Sequence, residues 1–358
     1  MIYAVVMAGG SGTRFWPKST KKRPKQFLNF FGEKTMIEET VNRLKGFVEP
    51  EQVMVVTNDN YRSIVEELLP STNTDFIIGE PVAKNTAPCV AAAAALLHKK
   101  DPDSTMIVLP ADHLIGKPKE FLRVLDSAVK TAQQEESLVT IGITPNRPET
   151  GYGYIQFDKS TEIKAGEHPA YSVKNFREKP DVETAKQFLE SGDFLWNSGM
   201  FIWKTSVILD EFKNHLPDMY KCTEKLMESD CGEKDLNQFY HACESISIDY
   251  GIMEKAEKVH VVPGEFEWND VGSWTAVHEL SKKDEDGNVF GKSPISLQGA
   301  TSNLIYSESG KMISLVGVDN VAVVETENAI LVVNLDKSQD VKKVVEDLKS
   351  DPEKEKFL

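Results

Sequence analysis

The chain has 358 residues, 40% of them hydrophobic and 27% charged, which is ordinary for a globular protein and long enough for one large domain plus a smaller one. Its net charge of −15 argues against a nucleic-acid or anionic-membrane partner, and the longest apolar stretch, 90–97, is too short to span a bilayer. The N-terminus opens into a strand pattern with no charged n-region or small-residue cleavage site, so no secretory leader is expected. The four cysteines (Cys89, Cys222, Cys231, Cys243) form no CxxC pair and match no zinc framework, so reduced thiols and a cytoplasmic location are expected.

In chain order, an apolar run at 2–7 predicts a first buried strand, and AGGSGTRFWPKSTKKRPKQF follows it. Gly9, Gly10 and Gly12 lie there with Ser11 and Thr13 among them, then Arg14, Lys18, Lys21, Lys22, Arg23 and Lys25. Glycines let the backbone approach a ligand and aim N–H groups at an anion, and the cations add charge where phosphate would sit. Further strands are predicted at 52–57, 76–78, 106–109 and 138–143, alternating with helices at 35–47, 61–68, 87–99 and 118–133. This alternation predicts an α/β, Rossmann-like, mainly parallel or mixed sheet, with ligands at the carboxyl ends of its strands. Extended segments at 152–155 and 172–177 come next, then a helix over 181–190 capped by Asp181, mostly helical chain over 206–256 and a strand at 259–262.

The polar segment SKKDEDGN, 281–288, predicts a linker between a region 1–284 and a small β domain 289–358. The latter should hold strands at 303–306, 312–315 and 321–325. A terminal helix from Ser338 would follow, with Val341, Val344, Val345 and Leu348 on one face.

Chemistry on a magnesium nucleotide needs a backbone cradle with cations, hard oxygen ligands and groups to hold the acceptor. The glycine- and cation-rich stretch supplies the first. Asp112 (in PADH, after a strand) and Asp270 (after Trp268-Asn269) are carboxylates suited to the second, although an Asp after a strand is commonly a turn or cap residue. GYGY at 151–154, Glu178-Lys179-Pro180 and WNSGM at 196–200 are acceptor-binding candidates. Each also has a plain structural reading: GYGY as a hairpin turn, Glu178-Lys179-Pro180 as a solvated loop, and Asn197, set beside a glycine turn, as a capping residue.

GGSGTRFWP, PKQF, EPVAKNTAP, LPADH, ETGYGYI, FREKP, FLWNSGMF and FEWNDVGSW occur in this order over residues 9–274. Together they resemble the mannose-1-phosphate guanylyltransferase (GDP-mannose pyrophosphorylase) family of sugar nucleotidyltransferases. The resemblance implies transfer of GMP from GTP to mannose 1-phosphate with Mg²⁺, on a nucleotidyltransferase domain followed by a small left-handed β-helix-like domain, as a homodimer. By motif, Gly9, Gly10, Gly12, Thr13 and Arg14 would hold the triphosphate, and Lys25 would act at the reacting phosphates. Asp112 and Asp270 would bind the metal. Glu80, Asn85 and Thr86 would lie by the guanine. Gly153, Glu178 and Asn197 would hold mannose hydroxyls, with Lys179 on the sugar phosphate.

Longer members of the family add an isomerase domain rich in metal-ligating histidines. No histidine follows His278 in this chain, so no isomerase activity is expected. The tail also lacks a clean hexapeptide repeat, at odds with a regular coil. Three other readings compete with the first. The same reaction could use another base or sugar, such as thymidylyl or uridylyl transfer to glucose 1-phosphate. An NAD(P) oxidoreductase is disfavoured because Phe15 breaks GxGxxG. A non-catalytic relative need not keep Lys25, Asp112 and Asp270 together.

Overall fold

In the computed structural model, which describes residues 1–10, 12–291 and 293–358, the first apolar run forms strand β1 (Ile2–Ala8). Ser11 of the glycine stretch lies outside the described residues. Val5 and Val6 are both fully buried, as a strand covered on both faces requires. The other larger strands of the first half are β2 (Val53–Asn58), β3 (Ile77–Glu80) and β4 (Thr105–Pro110). After the two-residue β5 (Leu114–Ile115) come β6 (Leu138–Ile143), β7 (Tyr154–Phe157), β8 (Tyr171–Arg177), β9 (Phe194–Lys204) and β10 (Val259–Gly264). Another two-residue strand, β11 (Trp268–Asn269), follows.

The nine longer strands form one sheet in the order β3-β2-β1-β4-β9-β6-β10-β8-β7. β1 is parallel to both β2 and β4, so the strand order reverses beside its carboxyl end, where ligands of such sheets bind. β9 runs antiparallel to both β4 and β6, which makes the sheet mixed. The turn expected at 196–200 is therefore absent: these residues lie in the middle of a central strand of 11 residues. Gly199, at φ +70°, accompanies a register shift between Thr140 and Gly142 on β6. A bulge asks for the same glycine as a turn, and it re-aims the side chains beside it, Asn197 among them.

Helices α2 (Arg62–Leu68), α3 (Thr86–Lys100) and α4 (Pro118–Glu135) form close to where they were expected. α1 (Met36–Asn42) stops short of 47 because the Lys45 and Phe47 amides bond carbonyls three residues back, a tighter winding than α. Ala91 to Ala95 of α3 are fully buried. Their small side chains let this helix sit in a core shared with Ile208, Phe212, Met219, Leu226 and Phe239. Those residues come from α6 (Thr205–His215), α7 (Pro217–Glu228) and α8 (Glu233–Ala242), preceded by α5 (Val182–Ser191), whose cap is Asp181 as expected.

The chain divides into two compact units, each discontinuous in sequence. One holds Met1–Gly9, Thr40–Ala111 and Ile115–Asn269; the other holds Gly10–Glu39, Asp112–Leu114 and Asp270–Leu358. In the second unit, β12 (Val289–Phe290), β14 (Leu304–Ser307) and β16 (Val321–Glu325) stack in parallel, as do β13 (Ile295–Gln298) and β15 (Ile313–Val316). Successive turns of a β-helix-like coil pair in this way. β17 (Ile330–Asn334) closes it antiparallel to β16, with Ile330 and Val332 exposed.

The polar segment 281–288 is a built turn rather than a free linker. The Asn288 side chain is fully buried, donates to Asp284 and the Ala300 carbonyl, and accepts from the Asn303 amide at 3.1 Å. Asn303 repeats the motif one turn later toward Val318 and Val321. This asparagine ladder sets the coil's spacing without a hexapeptide repeat. α9 (Trp274–Leu280) and α10 (Val341–Ser350) complete the unit. Val341, Val345 and Leu348 of α10 are buried with Phe15, Trp16 and Trp274, whereas Val344 is 37% exposed, off the face predicted for it.

Candidate active site

The second unit carries most of the glycine- and cation-rich stretch. Gly12 sits at φ +59°, and a Cβ there would come within 2.4 Å of the Lys25 Cβ and 2.8 Å of its backbone nitrogen. Only glycine permits that turn to press against Lys25. Lys25 is 6% exposed; its ammonium donates to Asp112 Oδ2 at 2.7 Å and to the Asp270 carbonyl at 2.6 Å. Burial works against the Asp112 carboxylate, but Lys25 and then His113 outweigh it and hold its pKa below the ordinary value. Val271, next to Asp270, adopts φ +47°, a strained conformation for a β-branched residue and one that collects at functional sites.

A cavity of 330 Å³ is lined by Gly12, Thr13, Arg14, Lys25, Asp112 and Asp270, together with Lys342. Lys342 belongs to α10, and no motif marks it; only the docking of that helix brings it there. Gly10, in the same unit, faces open space. Among the described residues no group of three His, Cys, Asp or Glu side chains forms a ready cage for a metal. Magnesium keeps several waters and takes one or two carboxylates plus substrate phosphates, so two carboxylates on one cavity fit it. Three other cations of the stretch have structural partners, among them Arg23, whose Nε donates to the Phe27 carbonyl. Lys18 is buried, bonds the Asn29 carbonyl and lies 3.8 Å from the Tyr306 ring centre; Lys21 pairs with Glu355 at 2.6 Å.

In the first unit, Gly9 directly follows β1 and lies against Glu80: a Cβ on Gly9 would lie 3.1 Å from Glu80 Oε2. Glu80 is 7% exposed and its Oε1 has no partner in hydrogen-bonding geometry. Burial pushes its carboxyl up to about 7, the nearby Tyr240 hydroxyl acting the other way. Asn85, at φ +69°, caps α3 by accepting from the Thr86 amide at 2.9 Å, and Thr86 accepts from the Ile248 amide. Glu80 yields a stability prediction. Between the ordinary value of 4.5 and about 7 the native chain holds a proton that the unfolded chain has lost, so this group costs stability increasingly as pH rises through that window. Glu80→Gln is expected to be more stable than the parent at pH 8, by on the order of 3 kcal/mol, with the difference vanishing below pH 4.5. Denaturant melts at both pH values measure it.

The acceptor candidates also converge in the first unit. A Cβ on Gly153 would lie 2.3 Å from Glu178 Oε2 and 3.2 Å from Asn197 Cβ. Lys179 donates to Glu178 Oε1 at 2.7 Å, and its own φ of +44° is a second strained position. Asp249, which the motifs did not single out, accepts from Asn197 Nδ2 at 2.9 Å. It opens a π-helical turn, Asp249–Met253, a feature frequent at functional sites but without a sequence signature. Among the described residues, no helix is long and apolar enough to cross a membrane.

Residues 3–287 match the nucleotidyl transferase family model, and residues 297–348 match the model of the MannoseP isomerase/GMP-like beta-helix domain. Mannose-1-phosphate guanylyltransferase of Klebsiella pneumoniae is 40% identical over 99% of this chain and 75% of its own length. The enzyme of the same name from Escherichia coli strain K12 is 42% identical over 98% and 74%. A solved structure described as mannose-1-phosphate geranyltransferase from Thermus thermophilus superposes with a TM-score of 0.87 at 32% identity, covering 97% of this chain and 99% of that one. The chain is thus an enzyme of the nucleotidyl transferase class, and within it belongs to the mannose-1-phosphate guanylyltransferase family.

Proposed function

We propose that the enzyme transfers GMP from GTP to mannose 1-phosphate, releasing pyrophosphate. The observation that carries this reading is Lys25, buried and held between Asp112 and the Asp270 carbonyl, on a cavity that also presents Arg14 and the Gly12 turn. An oxygen of the sugar phosphate attacks the α-phosphorus, the bond to the bridging oxygen breaks, and pyrophosphate leaves with that electron pair. The nucleophile is already an anion, so no base is needed, and catalysis rests on positioning and charge stabilisation.

Gly9, Gly10, Gly12 and Thr13 let the chain approach the triphosphate, which Arg14 and Lys342 attract, while Lys25 faces the reacting phosphates. A magnesium ion, which Asp112 and Asp270 would hold, supplies neutralisation of the triphosphate charge. Glu80 offers acceptors that match guanine's ring N–H and amino group, with Asn85 and Thr86 beside it. Gly153, Glu178 and Asn197 take sugar hydroxyls and Lys179 the sugar phosphate. Catalysis is assigned to residues 1–284, and 289–358 form the smaller β domain that contributes Lys342. A cytoplasmic homodimer completes the reading; Val316, Ile330 and Val332 are exposed apolar side chains available to a second copy, and the mass in solution checks it.

Pyrophosphate release across a panel of nucleoside triphosphates and hexose 1-phosphates, with magnesium and after chelation, is the test. GTP with mannose 1-phosphate is expected to be the best pair, and activity to require the metal. Preference for dTTP or UTP with glucose 1-phosphate would overturn the proposal.

A further inference from the structure

The amide of Asn197 has its polarity fixed by two one-way partners. The Gly199 backbone N–H can only donate, and it donates to Asn197 Oδ1 at 3.1 Å. An ionised Asp249 can only accept, and its Oδ1 accepts from Asn197 Nδ2 at 2.9 Å. An inverted amide would set donor against donor and acceptor against acceptor. One N–H of the Asn197 amide therefore remains for a ligand. The nearby Glu178 Oε2 is buried without a hydrogen-bond partner, an acceptor whose burial is costly until something donates to it. The space left by the absent side chain of Gly153 adjoins both, at 2.3 Å from Glu178 Oε2 and 3.5 Å from Asn197 Nδ2.

We infer that Asp249 is a positioning residue that locks Asn197 as a hydrogen-bond donor, so that Asn197 and Glu178 together recognise a pair of neighbouring sugar hydroxyls, one as acceptor and one as donor. This rests on the sugar-phosphate reading of the site and names its specificity device. An epimer that moves one hydroxyl leaves either the fixed N–H or the buried carboxylate oxygen unpaired, which is the situation in which polar sites discriminate most strongly. The carboxyls of Asp249 and Glu178 also crowd one another. Burial first, and then the Glu178 charge, push Asp249 up to about 6, so the pairing with Asn197 is bought at an electrostatic cost.

The test is steady-state kinetics on the full chain with mannose 1-phosphate varied at saturating GTP, and the reverse. Asp249→Ala is expected to raise KM for the sugar phosphate about tenfold while KM for GTP stays within about twofold. It should also narrow the preference for mannose 1-phosphate over glucose 1-phosphate. Asp249→Asn keeps an acceptor oxygen for the Asn197 amide and is expected to restore most of the sugar KM. The inference is overturned if Asp249→Ala leaves the sugar KM unchanged or raises both KM values together. It is equally overturned if Asp249→Asn is as impaired as the alanine variant at an unchanged melting temperature. Wild-type enzyme that turns over only another hexose 1-phosphate overturns the mannose reading instead, and the same KM comparison then decides the role of Asp249 with that sugar.

Discussion

Lys25→Met is expected to lower turnover by about 10²–10³-fold, the usual loss for one preorganised transition-state donor, while the chain stays folded. Lys25 is 6% exposed, and its ammonium has two fixed oxygen partners, Asp112 Oδ2 and the Asp270 carbonyl. Charge that is held in place and shielded from water acts on a developing phosphate charge without reorganising at the moment of reaction. Arginine should not rescue it: a planar guanidinium cannot replace a compact ammonium between those two oxygens.

The variant also carries a pH signature. The Asp112 pKa is depressed in the folded chain, so the pair contributes stability above the unfolded carboxylate value and loses it as pH falls through the folded one. Without Lys25 that acid-side loss should shrink. Pyrophosphate release gives the turnover, and thermal melts from pH 7 down to pH 3 give the linkage. Turnover within threefold of the parent would remove Lys25 from the chemistry.

Gly12→Ala is the second large effect. A left-handed backbone costs a residue with a Cβ about 1–2 kcal/mol, and here the new methyl would also meet Lys25 Cβ at 2.4 Å and its nitrogen at 2.8 Å. Either the turn opens or Lys25 moves, and a displacement near 1 Å in a positioned group can cost about 10²-fold in rate. The expected outcome is a fall of about that size in kcat/KM for GTP, with a lower melting temperature. Gly32→Ala, in the same unit, is the control: a Cβ there meets nothing within 4 Å, and its melting temperature should match the parent's. Parental activity in Gly12→Ala would show that the close approach to Lys25 has no role in catalysis.

Both predictions rest on a stretch whose local chemistry could be read from residue order. Clustered glycines next to clustered cations, directly after an apolar run, define an anion cradle because the backbone and side-chain requirements are local. The parallel strands β1, β2 and β4 were legible for a similar reason, since fully buried strands are continuous apolar runs bounded by turn residues. β9 was not. Its glycine looks the same in a turn and in a bulge, and only pairing with β4 and β6 distinguishes them. Three strands of the coil, expected at 303–306, 312–315 and 321–325, were legible as short β runs, and the resemblance supplied its β-helix-like form; its spacing was not, because that comes from the buried Asn288 and Asn303 side chains and not from a repeat.

The sequence by itself marked residues whose types suit phosphate, metal and hydroxyl binding, because such properties belong to residue types and short motifs. Only the tertiary structure decided that Lys25 rests against Asp112, that Lys342 reaches the same cavity from the last helix, and that Asp249 holds the Asn197 amide. Each joins side chains more than 50 residues apart. Such distances are closed by the packing of whole strands and helices, and no local preference records them.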